Sequence, residues 1–108
     1  MSDKPKHYSL KIFVNNHKIS SVLIGRHYLL KHSSSMNDEI ILQLVMALDE
    51  GTFPVDSTVD GIEYFVADVE IGNPNKVYRI IWLFEGEFLE VLGVINAYRR
   101  KKKRGQNK

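Results

Sequence analysis

One amphipathic helix, expected over about residues 36–50, constrains the fold of this chain most. Its apolar side chains recur at the spacing that places them on one helix face: Met36, Ile40, Ile41, Leu44, Val45 and Leu48. Ser35 and Asp38 resemble a capping box at its start, and Gly51 suits its end. A helix with one apolar face must pack against another layer, so we expect a sheet beneath it.

Strand patterns lie on both sides of this helix. Asn15-Asn16 separates two short strand-like runs and predicts a β-hairpin over residues 9–24. Residues 51–60 are expected to form a loop, and three strands should follow, over residues 62–71, 77–84 and 88–98. The sequence predicts an α+β domain with an N-terminal β-hairpin, one short helix near residues 26–32 and one long helix. The helices would pack on a three- to five-stranded antiparallel sheet.

Charge is distributed unevenly along the 108 residues. Residues 1–32 carry a net charge of +5, residues 33–98 carry −10 and residues 99–108 carry +7. A polyanion should therefore meet the N-terminal third and the tail, because the acidic middle repels it. We expect one domain over residues 1–98 and a disordered basic tail over residues 99–108.

Composition excludes several classes of protein. The chain has no cysteine, so it has neither a disulfide framework nor a thiolate metal site. No run approaches the roughly 20 apolar residues that a membrane-spanning helix needs. We therefore expect a cytoplasmic protein that does not contact a membrane.

Polar chemistry is concentrated in residues 25–35. His27 and His32 could act as general base and general acid near neutral pH, and Arg26 and Lys31 could stabilise negative charge on a phosphate. Cleavage of RNA through attack by its 2′-hydroxyl needs this set of groups. The alternative is a run of ordinary polar residues at a strand-to-helix junction. The histidines are five residues apart with no acid between them, so we expect neither a metal site nor a cofactor.

Two later strands carry unusual polar residues. Arg79 interrupts an apolar strand, so it requires either an anionic ligand or a carboxylate such as Asp68 or Glu63. Alternation puts Asn96 and Tyr98 on one strand face, where both could contact RNA and Tyr98 could stack on a base. The plainer alternative for these two is a polar exit from the sheet. Whether Arg79 shares their face depends on the length of the turn between the two strands.

The tail begins with a run of six cations: Arg99, Arg100, Lys101, Lys102, Lys103 and Arg104. Such a run would add RNA affinity that does not depend on base sequence and falls with salt. The alternative is a solvated tail or a segment that binds a protein partner.

Together these pieces resemble the barnase–EndoU–colicin–RelE superfamily of small ribonuclease toxins. The resemblance covers about residues 25–100. It rests on His27-Tyr28, Lys31-His32, the helix over residues 37–48, the strand over residues 78–82 and the Gly93-to-Arg99 segment. Proteins of the RelE type are usually basic throughout, whereas residues 33–98 here are strongly acidic.

The resemblance implies metal-independent cleavage of RNA, either tRNA or mRNA, that leaves a 2′,3′-cyclic phosphate. It also implies a cognate antitoxin or immunity protein. His32 or His27 would be the general acid or base, Lys31 and Arg79 would bind phosphate, and Tyr98 would orient the substrate. Two alternatives stay open: a non-catalytic interaction module whose acidic middle binds a basic partner, and an RNA-binding protein that does not cleave.

Overall fold

The structure, a computed structural model, describes residues 6–25, 36–72 and 76–100. These residues form six strands and one helix. In chain order the elements are β1 (Lys6–Val14), β2 (His17–Ile24), α1 (Asp38–Met46), β3 (Ser57–Val59), β4 (Ile62–Ile71), β5 (Lys76–Glu85) and β6 (Val91–Arg100).

All six strands belong to one sheet with the order β1-β2-β6-β5-β4-β3. Neighbouring strands are antiparallel except β2 and β6, which pair in parallel from Ser21 opposite Val91 to Ile24 opposite Val94. A parallel pair needs a long crossover connection, and the chain between β2 and β6 includes α1 and three strands. The N-terminal hairpin thereby extends the sheet beside its last strand.

The start of α1 is capped by Asn37, whose side-chain oxygen accepts a hydrogen bond from the backbone N–H of Ile40 (2.8 Å). The cap is therefore Asn37 and not Ser35 as predicted. Asp38 and Glu39 lie in the first turn, where their charges favour the positive end of the helix dipole.

The helix ends at Met46, short of the predicted residue 50; residues 47–49 form turns and the chain then bonds to β1. The Asp49 carboxylate accepts from the backbone N–H of Phe13 (2.9 Å), and Gly51 accepts from the N–H of Asn15 (2.9 Å). The backbone N–H of Glu50 donates to Phe13 O of β1 in place of a helical carbonyl. Glu50, rather than Gly51, has a positive φ, of 66°.

The helix covers one face of the sheet. Ile41, Leu44 and Val45 of α1 are fully buried in the same cluster as Ile80 and Trp82 of β5. Burial of a side chain of this size contributes about 1.5–3 kcal/mol, so this contact is a main source of stability.

The other side of the sheet is less covered. Side chains alternate along β5, so that Tyr78, Ile80 and Trp82 are buried while Arg79 and Ile81 between them stay partly exposed. We call this second side of β4, β5 and β6 the outer face. It carries Asp68, Arg79, Ile81, Asn96, Tyr98 and Arg100.

The predicted architecture of one short and one long helix on a three- to five-stranded antiparallel sheet is wrong. The described residues contain one helix, and their six strands form a mixed sheet. The short helix expected near residues 26–32 lies outside the described residues. Hydrophobic periodicity indicates which face a residue occupies but not which strand is its neighbour, so it gives no sign of the parallel pair.

Two hairpin turns have the residues that their backbone requires. Asn15 and Asn16 take φ of 53° and 65° between β1 and β2, as the sequence predicts. Asp60 and Gly61 take φ of 53° and 80° and join β3 to β4. They lie at the end of residues 51–60, which were expected to form only a loop. The Asp-Gly pair is thus the sequence signal for the unpredicted strand β3.

Asn15 offers a test of how the hairpin is joined to the rest of the fold. Its side chain donates to the backbone oxygen of Phe53 (3.0 Å) and accepts from the backbone N–H of Phe53 (2.7 Å). Asn15→Gly keeps the positive φ and removes both bonds, so we expect urea denaturation to show a loss of about 1–3 kcal/mol in the free energy of unfolding. Asn16→Gly is the control and should change the free energy of unfolding by less than about 0.5 kcal/mol. Equal losses in the two variants would contradict this role for Asn15.

Candidate functional site

The outer face brings together four of the predicted site residues: Arg79, Asn96, Tyr98 and Arg100. Arg79 of β5 lies directly opposite Tyr98 of β6, and Ile81 lies opposite Asn96. Arg79 therefore shares a face with Asn96 and Tyr98, which settles the question that the turn length had left open. Arg99 lies opposite the buried Tyr78 and so belongs to the other face.

Arg79 has a carboxylate partner on the neighbouring strand. Its Nε donates to Asp68 Oδ1 (2.8 Å) and its Nη2 lies 3.3 Å from Asp68 Oδ2, a two-point contact. Arg100 joins the same carboxylate through Nη1 (2.9 Å). Of the two acidic partners considered for Arg79, Asp68 is therefore the one that binds it.

The contact between Asp68 and Arg79 shifts the pKa of both groups. The hydrogen bond from Arg79 is the largest cause that holds the pKa of Asp68 below its ordinary value of 3.8, and burial opposes it. The Asp68 carboxylate in turn raises the pKa of Arg79, with a smaller contribution from Tyr98. Two guanidinium groups share one carboxylate here, so the cluster of Asp68, Arg79 and Arg100 keeps a charge of +1 at neutral pH.

Asn96 has a local role beside this cluster. The register of β5 and β6 shifts between Ile81 and Trp82, which leaves one extra residue in β6 before Asn96. The Asn96 side-chain oxygen accepts from the backbone N–H of Ala97 (2.9 Å). Asn96 therefore satisfies a backbone donor next to an irregular pair, which explains an asparagine inside a strand.

The other predicted site residues lie outside the described residues. Arg26, His27, Lys31 and His32 belong to residues 26–35, and the cations from Lys101 to Arg104 follow β6. The structure does describe Gly25, the residue before the first of these segments. Its backbone N–H donates to Val94 O of β6 (3.2 Å).

Sequence reasoning named Arg100 and Asp68 but did not predict that they contact each other. Arg100 was assigned to the tail but ends β6, where it faces Val77 and binds Asp68. Asp68 was named only as one possible partner, yet it connects both arginines. Opposite charges at matching positions of consecutive strands are a signal for such a pair, once the register is known.

Comparison of the chain with protein-family models, curated proteins and solved structures gives no match. Within the described ranges, no helix is long and apolar enough to cross a membrane. The same residues contain no group of three or more histidine, aspartate or glutamate side chains placed to hold a metal ion.

The Asp68 pairing predicts a change of stability with pH. A carboxylate with a lowered pKa in the folded state stabilises the fold above its unfolded pKa, and that contribution is lost as the pH falls through its folded pKa. We expect Asp68→Asn to cost about 1 kcal/mol or less at neutral pH, because both partners are about one-third exposed. The difference from wild type should shrink below about pH 4.

Urea unfolding at a series of pH values measures this difference. Glu87→Gln, which removes an exposed carboxylate from the turn between β5 and β6, is the matched control. A difference between wild type and Asp68→Asn that stays constant into strongly acidic solution would contradict the assignment.

Proposed function

We propose that this protein binds RNA on the outer face at the end of the sheet where β6 finishes. The observation that carries the proposal is the cross-strand pair of Arg79 and Tyr98, with Arg100 beside it on the same face. Arginine binds phosphate through several N–H donors, and tyrosine offers a ring on which a base can stack. Arg100 then leads directly into four further cations, Lys101 to Arg104.

The ion pair with Asp68 is compatible with an RNA ligand. A guanidinium carries five N–H donors, and Asp68 uses only some of those on Arg79 and Arg100. The carboxylate also holds both side chains in place before RNA arrives, which reduces the entropy lost on binding. Glu70 lies further along the same strand face and offsets part of the charge, so much of the attraction for a polyanion should come from the tail.

Charge elsewhere on the sheet favours this end for RNA. The turn between β5 and β6 carries Glu85, Glu87 and Glu90 and no lysine or arginine. This turn lies at the start of β6, about 30 Å from Arg100 along a ten-residue strand. Phosphates are repelled at the acidic end, so binding should be oriented along the strands.

Binding of a labelled single-stranded RNA oligonucleotide, followed by fluorescence anisotropy, tests the proposal. We expect Tyr98→Ala to weaken binding about tenfold, because stacking is worth about 1–3 kcal/mol per base. Arg100→Ala should reduce the slope of log affinity against log salt by about 0.7, the contribution of one phosphate contact on a single strand. Lys18→Ala removes an exposed cation from β2 and is the control. Wild-type binding by both outer-face variants would refute an interface there.

Cleavage of the bound RNA is the second candidate function. The observation that favours it is the position of Gly25, which is bonded to β6 two residues before Asn96. His27 follows Gly25 by two residues, so the chain enters the histidine segment beside the strand that carries Tyr98.

In this proposal, His27 and His32 serve as the base and the acid, in either order. The base takes the proton of the 2′-hydroxyl, whose oxygen attacks the adjacent phosphorus. The bond from phosphorus to the 5′-oxygen breaks, and the acid protonates that oxygen. Lys31 and Arg79 would stabilise the charge on the phosphate, and the product would be a 2′,3′-cyclic phosphate. A cytoplasmic protein with this activity would need a cognate antitoxin or immunity protein.

Incubation of the protein with tRNA and with mRNA in excess EDTA tests for cleavage. We expect fragments with cyclic-phosphate ends, a rate about 100-fold or more lower in His32→Ala, and loss of the fragments in the His27/His32 double alanine variant. His7→Ala removes an exposed histidine from β1 and is the control. If the wild-type protein binds RNA but produces no fragments, the cleavage proposal fails and the RNA-binding proposal stands.

A further inference from the structure

A cavity of about 570 Å³ opens at the acidic end of the sheet, far from the proposed RNA surface. Four aromatic rings contribute to its wall: His17, Phe53, Phe65 and Phe84. The His17 and Phe84 rings lie 4.7 Å apart, and those of Phe65 and Phe84 are 5.1 Å apart in an edge-on arrangement. Volumes of about 300–1,000 Å³ with apolar and aromatic walls are typical of ligand sites.

Trp82 lies directly behind this wall. Its ring is 5.2 Å from that of Phe53 and 5.8 Å from that of Phe65, and the residue is fully buried. Among the residues that the structure describes, its indole N–H has no hydrogen-bond partner, an unusual state for a buried donor. Trp82 is the single tryptophan of the chain, so its fluorescence reports on the wall of the cavity.

Apolar side chains stand exposed around the opening. Val55, Ile62 and Leu89 line the cavity and are 43%, 47% and 39% exposed, and Phe88, next to Leu89, is 80% exposed. Isolated exposed apolar residues are common on proteins, but several around one cavity are typical of an interaction site.

The two segments that supply much of the lining are acidic. Residues 49–63 and 85–90, which supply much of the lining, contain eight acidic residues and no lysine or arginine. Glu63 itself lines the cavity. A cationic ligand is therefore favoured here, and aromatic rings bind cations through their π faces.

We propose that this cavity is the docking site for a basic segment of a partner protein, which places an aromatic side chain in the cavity against the phenylalanine rings. Arginine or lysine residues beside the aromatic anchor would meet the acidic rim. The site is about 30 Å from Arg100, so a partner protein and RNA can be bound at the same time.

The occupant that we propose needs both positive charge and an aromatic anchor. Residues 99–108 of this chain are basic but contain no aromatic residue. A separate chain that carries both positive charge and an aromatic side chain therefore fits the cavity better.

Trp82 fluorescence of the full-length protein provides the assay. The probe is a blocked hexapeptide of alternating arginine and phenylalanine, which does not absorb where tryptophan is excited. We expect a saturable change in Trp82 emission. The same peptide with its phenylalanines replaced by alanine, or with its arginines replaced by glutamate, should bind at least tenfold more weakly.

A matched pair of charge reversals locates the site. Glu63→Lys places a cation in the lining and should weaken the hexapeptide about tenfold. Glu39→Lys makes the same charge change at an exposed position of α1 and should leave its affinity unchanged. Equal effects of the two variants would show that net charge alone controls binding, and the docking site would be rejected.

Two further outcomes would overturn the proposal. One is tight binding of the glutamate peptide. The other is concentration-dependent dimerisation, seen by sedimentation, that the arginine–phenylalanine peptide reverses, because the occupant would then be a second copy of this chain. The peptide assay contains no RNA and tests residues distant from Tyr98 and Arg100, so failure of the RNA proposal and failure of this one are separate results.

Discussion

The packing of one helix on one side of a six-stranded sheet is the constraint on which the rest of the structure depends. On the side of the sheet opposite the outer face, α1 packs on β5, and one core cluster contains Ile41, Leu44 and Val45 together with Ile80 and Trp82. A sheet with a single covered side needs apolar residues at alternate positions only. The residues between them point to the outer face and can be polar. Asp68, Arg79 and Tyr98 occupy such positions.

Strand direction then separates charge along the sheet. β5 and β6 are antiparallel neighbours joined by an acidic turn, so the basic end of β6 lies at the opposite end of the sheet from that turn. Within the described residues, β5 and β6 therefore have glutamates at one end of the pair and Arg99 and Arg100 at the other, although the chain's net charge is only +2. Each end also offers aromatic side chains: Tyr98 at the basic end, and Phe65 and Phe84 at the acidic end. This polarity supports the proposal of two binding surfaces for ligands of opposite charge.

The candidate cluster was only partly predictable. Arg79 was recognisable because a charged residue in an apolar strand requires a partner, and Asp68 was among the partners considered. That Arg100 shares the same carboxylate was not predictable, because it depends on the register of β6 and on the irregular pair next to Asn96. The aromatic cavity was not predictable either. Its walls come from β2, β4, β5 and the loops after α1 and β5, which are distant in sequence.

The sequence by itself determined the features that neighbouring residues control: the Asn15-Asn16 hairpin turn, the presence of α1, the stretches of chain that form β4, β5 and β6, and the uneven charge. Backbone preference and periodicity act over a few residues, so they can be read without knowing the fold. Only the tertiary structure decided that β2 pairs in parallel with β6, that α1 ends at Met46, and that Asp68 joins two arginines. These features depend on which distant segments meet, and that choice follows from burying the apolar faces of the whole chain together.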